Sequence, residues 1–528
     1  MTALIRRVIR NRFVQAFSTG LTLTTTGFSI YFLHKNDYSL SSIGAVRFAR
    51  AGLTVGRIAT DYKLSLRGLD PDSDDYRTTM KQLHYRGAER LLDLAKANGG
   101  VFIKVGQHIA SLQYILPSEY VSTLSVLHSR APESKFEEVK QVVKQSLNIQ
   151  SCDEVFEFLD ERPKGAASLA QVYEAKLVET GERVAVKVQH PHVKPHSLVD
   201  IATMEFFVNV VDRLFPEFRL MWLVDEVKRN LPKELDFLNE ADNADRVRRM
   251  FAHLPYLKIP KIHRKYCSDR VLTMEYCDGV QIDQVEYFDK NNFDKHDICK
   301  KIGTLFSEMI FVNGYIHCDP HPGNVLVNKN DDGELDIVLL DHGLYVTLQD
   351  DFRINYTKLW LALLKPDRNL IKHYATKMGV GDLYGLFACI VTARSWKAVT
   401  SGIDRVSFDA EEQEEIGQYA ASLIPQISQV LERVPSSMLL ILKTNDLLRS
   451  IEHRMGTNNR HDSFLQMSRC CVRSVFEYRL TKTKSWVKKA IVASSMYYQL
   501  TRITLFEYFQ ILTEWVCRSK IFVGIARS

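Results

Sequence analysis

No two cysteines of this 528-residue chain stand in a Cys-x-x-Cys pair, and its nine cysteines form no ladder of spaced pairs. A zinc site or a disulfide framework is therefore not expected, and the thiols read as reduced, mostly buried small hydrophobes. Nor does any basic stripe interleave with stacking aromatics, and a net charge of +6 is small for this length, so nucleic acid is not an expected partner. Internal repeats and low-complexity tracts are absent. Acidic residues are missing before Asp37, and the only charges from Met1 to His34 are Arg6, Arg7, Arg10 and Arg12, in a stretch whose Ala3, Leu4, Val8, Ile9 and Phe13 are the expected apolar residues of a short helix. An Arg-rich, Ser/Thr-rich, acid-free start predicts mitochondrial import; a basic amphipathic helix on an anionic membrane is the alternative reading. Charge is also lacking from Phe13 to Leu33, but Gln15, Ser18, Thr22, Thr24, Thr25, Thr26 and Ser29 make that stretch too polar for a confident span.

What is present is length and alternating texture. At roughly 100–200 residues per domain the chain divides into about three or four units. Residues 1–36 form the targeting or membrane-associating segment, and 37–150 a helical extension broken by the turn Gly68-Leu69-Asp70-Pro71-Asp72 and stopped at Gly99-Gly100. From about Cys152 the helical period gives way to strands. Ser168–Leu177 and Arg183–Gln189, around a turn containing Gly181, predict a hairpin. Strand-like runs also occur at Leu257–Ile259, Val271–Tyr276, Val325–Asn328 and Ile337–Leu340. The chain is helix-rich from about Leu348 onward, where the aromatic stretch Trp486–Phe522 carries Arg502, Glu507 and Glu514 and reads as a packing helix more than as a membrane-surface one.

The segment with the most chemistry is His317-Cys318-Asp319-Pro320-His321-Pro322-Gly323-Asn324, followed by Ile337-Val338-Leu339-Leu340-Asp341-His342-Gly343. Phosphoryl transfer from ATP needs a carboxylate that aligns the acceptor hydroxyl and oxygen ligands that hold Mg²⁺ against the phosphates. Asp319 and Asn324, five residues apart on a loop stiffened by two prolines, supply the first and one metal ligand. Asp341, ending a buried strand, supplies the other. Upstream, Arg183–Gln189 is an apolar-rich strand whose Lys187 can face a nucleotide, and Glu240, on a downstream helix, is its ion-pair candidate. A Gly-rich loop over the phosphates is missing. Its position is taken by Gly165-Ala166-Ala167-Ser168-Leu169-Ala170, and alanine lacks glycine's backbone freedom, so turnover is expected to be restrained.

In order, Lys104-Val105-Gly106-Gln107, the Ala-rich loop, Lys187, Glu234 and Asp236 with Glu240, then Asp319, Asn324 and Asp341, resemble the aarF-domain (UbiB, ABC1-like) atypical kinase family over about Leu83 to Trp396. Runs such as Met221–Glu226 and Leu231–Glu240 are similar to its animal mitochondrial branch. The resemblance implies an α+β, bilobal protein-kinase-like fold with an N-terminal helical extension and a helix-rich C-terminal region. An N-lobe would span 151–276, a C-lobe 277–400 and the helical C-terminal region 401–528. It implies ATP and Mg²⁺ as cofactors, with Gly165, Ala166, Ala167, Ser168, Lys187 and Glu275 as nucleotide contacts and Asn324 and Asp341 on the metal. Asp319, Lys187 and Glu240 would be the catalytic set. Lys104 and Gln107 would lie in an extension that covers the peptide site of a protein kinase, with Lys104 near Glu234 and Asp236, in a regulatory role. Two departures stand out: His342 replaces the usual Phe after the metal-binding Asp, and Gly165 and Ala170 vary the loop of the ubiquinone-linked branch. No Ala-Pro-Glu platform follows Gly343, which favours a small or lipid-like acceptor, or slow ATP hydrolysis, over a peptide. The expected place is mitochondrial and inner-membrane associated, with roles in lipid, cristae and membrane homeostasis. The other reading is a nucleotide-sensing scaffold acting through a protein partner. An aminoglycoside- or choline-kinase-like enzyme shares the loop but lacks the Lys104–Gln107 signature.

Overall fold

Ser73 opens the first well-capped helix: its side chain accepts a hydrogen bond from Tyr76 N–H, and Gly99, at φ 68°, closes the helix with its N–H on Ala95 O. The computed structural model describes residues 44–110, 116–128, 133–215, 221–330, 332–401, 426, 429–430, 433–457 and 462–525. The expected targeting segment 1–36 and the break at Ala131-Pro132 lie outside them. The chain divides into two compact units, Met1–Leu235 and Asp236–Ser528.

In the first unit α1 (Gly44–Ser65), α2 (Asp74–Asn98), α3 (Val101–Ala110) and α4 (Ser118–Leu124) pack around Leu94, Ala95, Phe102, Ile103, Leu124 and Leu127. After α5 (Phe136–Leu147) come β1 (Phe156–Phe158), β2 (Gly165–Ala166), β3 (Ala170–Leu177) and β4 (Arg183–Gln189). The expected hairpin is there: β3 and β4 are antiparallel, with Lys187 opposite Val172. β1 and β2 both pair with β3. Helices α6 (Val193–Leu214) and α7 (Met221–Glu234) follow. A buried ion pair joins α1 to α6, with Arg47 Nε donating to Asp200 Oδ1 at 2.7 Å.

The second unit begins with α8 (Phe237–Met250), capped by Asp236, whose side chain accepts from Leu238 N–H. Strands β5 (Leu257–Lys258) and β6 (Val271–Glu275) precede β7 (Val280–Gln281), then α9 (Val285–Lys290) and α10 (Lys295–Ser307), which runs on as a wide turn through Glu308–Asn313. Then come β8 (Tyr315–His317), β9 (Val325–Lys329), β10 (Leu335–Leu339) and β11 (Tyr345–Thr347). One sheet has the order β5-β10-β9-β7; β8 pairs with β11 separately. Sequence reading misses β1, β2, β7, β8 and β11. Each is two or three residues long, too short to show a period of two, and glycines directly precede β7 and β8. The helical remainder comprises α11 (Asp350–Leu364), α12 (Arg368–Lys377), α13 (Tyr384–Thr392), α14 (Trp396–Ser401), α15 (Ser436–Met455), α16 (Asp462–Lys482) and α17 (Trp486–Ile525). The α+β class and the helix-rich C-terminal region are as expected. α16 buries Cys470, Cys471, Val472, Val475 and Phe476, and packs on α10 and α11. α17 packs on α16, and its other side is exposed among the residues whose side chains are described, up to Leu512, which narrows the packing-helix expectation to one face there. Among the described residues no helix is long and apolar enough to cross a membrane. Five of the eight described cysteines are buried, and all eight are free thiols.

Candidate active site

Two sets of expected residues fall in the two units, and each is built differently. In the first unit Lys104, on α3, forms an ion pair with Glu234 at the end of α7, 2.9 Å apart and largely buried. Gln107, one turn further along α3, donates from Nε2 to Leu127 O at 3.0 Å and accepts from Ser168 Oγ at 3.4 Å. The glycine between them has a packing reason: a Cβ at Gly106 would sit 2.3 Å from Leu127 Cδ1. This motif thus reaches the Ala-rich loop, which is a tight hairpin. Gly165 and Ala166 pair with Val172 and Gln171, and Ala167 N–H donates to Ala170 O at 2.8 Å. His190, not singled out from the sequence, holds the loop from the other side. Ala167 O can only accept, so His190 Nε2 carries the proton and donates to it at 3.0 Å, leaving Nδ1 to accept from Ser134 Oγ at 2.8 Å. Burial pushes the His190 pKa below the usual imidazole value, with the Ala167 contact opposing. Beside the loop lies a cavity of about 180 Å³ whose lining includes Arg47, Gly100, Ser134, Ser168, His190 and Asp200. Lys187 sits mid-strand on β4 in the same unit.

In the second unit Asp319, Asn324 and Asp341 come together through backbone. Leu340 N–H donates to Asn324 O at 2.8 Å, where β9 and β10 leave their ladder, so the metal-ligand candidates stand side by side at two strand ends. The side chain of Asn324 is buried, and its Nδ2 donates to Asp319 O at 3.2 Å. His321 closes the turn between them by accepting from Gly323 N–H on Nδ1. His317 is fully buried and links the two aspartates. Asp319 N–H donates to its Nδ1 at 3.1 Å, which fixes the proton on Nε2, and that atom donates to Asp341 O at 2.7 Å. Burial holds the His317 pKa below the ordinary value, although Asp341 and Asp319 pull the other way, so the ring positions both residues as a neutral group.

Asp341 itself has φ 53°, a left-handed conformation that costs a non-glycine residue roughly 1–3 kcal/mol and clusters at functional sites. Its Oδ1 accepts from Gly343 N–H at 3.1 Å. A Cβ at Gly343 would stand 3.2 Å from that oxygen and 3.8 Å from Glu240 Oε2, so the bare glycine backbone borders both carboxylates. Helix α8 is fixed to this turn by two asparagines flanking the buried Glu240. Asn239 Nδ2 donates to Gly343 O at 3.1 Å, and Asn243 Nδ2 to His342 O at 2.9 Å. Asn243 in turn accepts from the Tyr315 hydroxyl at 2.7 Å. Both asparagines were missed from the sequence; their spacing of four, on the helix that carries Glu240, is the signal that finds them. His342, where a Phe is usual, is buried and stacked on Tyr345 at 5.8 Å. Its Nε2 donates to Leu339 O and its Nδ1 accepts from the Tyr345 hydroxyl. Glu275 lies apart from this network. Its carboxylate takes Lys258 Nζ at 2.8 Å and Lys261 N–H at 3.2 Å. Burial raises its pKa, but these two partners outweigh burial and hold it below the usual carboxylate range.

The donor set suits Mg²⁺. This ion is commonly bound by one or two protein oxygens, the substrate phosphates and water completing its octahedron. One carboxylate and one amide at adjacent strand ends meet that need. Among the described residues no three His, Cys, Asp or Glu side chains form a cage that would hold a metal alone.

Residues 126–375 match the ABC1 atypical kinase-like domain. AarF domain-containing protein kinase 1 of Mus musculus is 48% identical over 493 residues, 93% of each chain. AarF domain-containing kinase 1 of Drosophila melanogaster is 46% identical over 482 residues, 91% of each. Among solved structures, the complex of Rv3197 with erythromycin from Mycobacterium tuberculosis aligns at a TM-score of 0.41 with 21% identity, over 70% of this chain and 95% of that one.

Proposed function

Since the chain belongs to the ABC1 atypical kinase-like family, we propose that it binds ATP with Mg²⁺ and transfers phosphate to a small or lipid-like acceptor, or slowly to water. The observation that carries the reading is His317, one neutral ring that sets the loop of Asp319 against the turn of Asp341. In this reading Asp319 aligns the acceptor hydroxyl and takes its proton, a task that needs a carboxylate held by backbone rather than by a flexible side chain. Asn324 Oδ1 and the Asp341 carboxylate hold the metal, which supplies charge neutralisation at the phosphates. Lys187 is assigned to the phosphates, Glu240 to the catalytic set, and Gly165, Ala166, Ala167, Ser168 and Glu275 to further nucleotide contacts. Lys104, Gln107, Glu234 and Asp236 are assigned a regulatory role. The chain would act at a mitochondrial inner membrane in lipid and cristae homeostasis, a placement supported by the Arg-rich, acid-free start of the sequence.

A second reading, a nucleotide-sensing scaffold acting through a protein partner, is favoured by one observation. The Ala-rich loop is tied down by Gln107 and His190 rather than free to follow phosphates through a reaction. Replacement of Asp319 by Asn in a null background separates the two. Loss of rescue, with ATP turnover down by a factor of at least about 10³ and Mg²⁺-ATP binding retained, supports transfer. Full rescue by the same variant leaves only the scaffold. Absence of any Mg²⁺-dependent ATP binding by the wild-type chain defeats both.

A further inference from the structure

We propose that the outward side of α17 is a docking face for an anionic phospholipid surface. Along this helix Val487, Ile491, Tyr498, Leu505 and Leu512 recur at spacings of four, seven, seven and seven, which at 3.6 residues per turn keeps them on one side. Trp486, Tyr497, Tyr508 and Phe509 widen that side into a broad stripe. All nine side chains are exposed: Trp486 by 80%, Tyr498 by 65% and Phe509 by 61%. A stripe this wide exceeds the narrow seam through which two helices pair in a coiled coil. Its tyrosines and tryptophan carry an apolar body and a polar tip, the side chains that settle at a membrane–water boundary.

Charge chooses the occupant. From Thr483 to Thr513 the only acid is Glu507. Its carboxylate is turned inward, 2.9 Å from Lys300 and also bonded by Arg469. The exposed charges of the same stretch, Lys484, Lys488, Lys489 and Arg502, are all basic. A second copy of this face would bring lysine against lysine, whereas a lipid surface bearing phosphate offers the matching charge. An apolar stripe flanked by exposed basic residues is the pattern of a helix that lies in the interface with its apolar side down. This deepens the membrane association proposed above, and its test does not depend on nucleotide binding.

The experiment is flotation of the full-length chain with vesicles of roughly three parts phosphatidylcholine to one part phosphatidylglycerol, against phosphatidylcholine alone. The wild type floats with the anionic vesicles. The exposed triple variant W486S/Y498S/F509S floats at least about tenfold less, with its thermal midpoint and ATP binding unchanged. The exposed pair K488Q/K489Q, at roughly fivefold per charge, loses more than about tenfold of its preference for anionic over neutral vesicles. Wild-type binding retained by the triple variant overturns the proposal. So does a wild-type dimer in sedimentation that the triple variant dissolves, with no flotation by either.

Discussion

The two units hold their motif residues by different means. In the second, neutral groups tie the backbone around Asp319 and Asp341: the His317 ring bridges the two residues, and the Asn239 and Asn243 amides hold the turn after Asp341. In the first, the Lys104 motif is placed by an ion pair with Glu234, and the neighbouring helices by the Arg47–Asp200 pair. A neutral donor fixes an aspartate's position and leaves its charge in force, which is what a divalent cation requires. An ion pair fixes position by consuming charge, which suits a brace whose partner is always the same. In the proposed function the first arrangement suits restraint and the second suits chemistry.

The comparison breaks most visibly at the brace. Lys104→Met leaves Glu234 largely buried with its ammonium partner gone, and a loss of about 3–5 kcal/mol is expected, read as a drop in the denaturation midpoint. Lys104→Met with Glu234→Leu should recover most of it, because two apolar groups need no compensation. If the double variant is as unstable as the single one, the brace is not an ion pair in the sense argued.

At the neutral set, His317→Phe strips a partner from both Asp319 N–H and Asp341 O. It should cost about 1–3 kcal/mol of stability and lower ATP turnover by about 10², since misplacing reacting groups by an ångström has that effect. Full turnover with normal stability would show that the loop holds its shape without the ring.

Much of this was legible in the sequence, and the reason is physical. Asp319, Asn324 and Asp341 sit in a short segment with prolines and a buried strand, so type and spacing single them out, and the fold brings them together. The β3–β4 hairpin is long enough to alternate. What could not be read has no local signal. The left-handed φ of Asp341 is set by its neighbours, since aspartate is common in ordinary backbone too. His190 reaches Ser134 across 56 residues, and Asn243 reaches His342 across 99. Such contacts exist only once the chain has folded. α17 was half legible: its aromatic residues and its charges pointed to a packing helix, but which side the protein would cover depended on where Glu507 found its cations.

His190 offers a gentler test of the first unit. Its folded-state pKa lies below the ordinary value, so as pH falls through about 6.5 the unfolded chain takes a proton that the folded one refuses. Stability contributed by this ring is therefore complete above that pH and declines below it. Between pH of about 7.5 and about 5.5 the wild type should lose more of its thermal midpoint than His190→Gln, whose amide can keep both hydrogen bonds without titrating. Equal slopes would remove His190 from the account of the loop.

The smallest expected effect is also the one that separates two glycines of the motif set. Gly106 has no room, because Leu127 occupies the space of its Cβ. Gly165 has nothing within 4 Å of the place a Cβ would take, and its φ is not among the positive ones. Glycine there spends conformational entropy on a strand that alanine would form at lower cost. Gly165→Ala should therefore stabilise the chain by about 0.5 kcal/mol, acting through the unfolded state. Turnover decides whether the glycine is kept for motion. If Gly165→Ala raises the midpoint and leaves turnover unchanged, the loop works as the tied hairpin described. If it raises the midpoint and slows turnover, the first strand of the loop must move during the cycle, and the restraint by Gln107 and His190 is one that the protein releases.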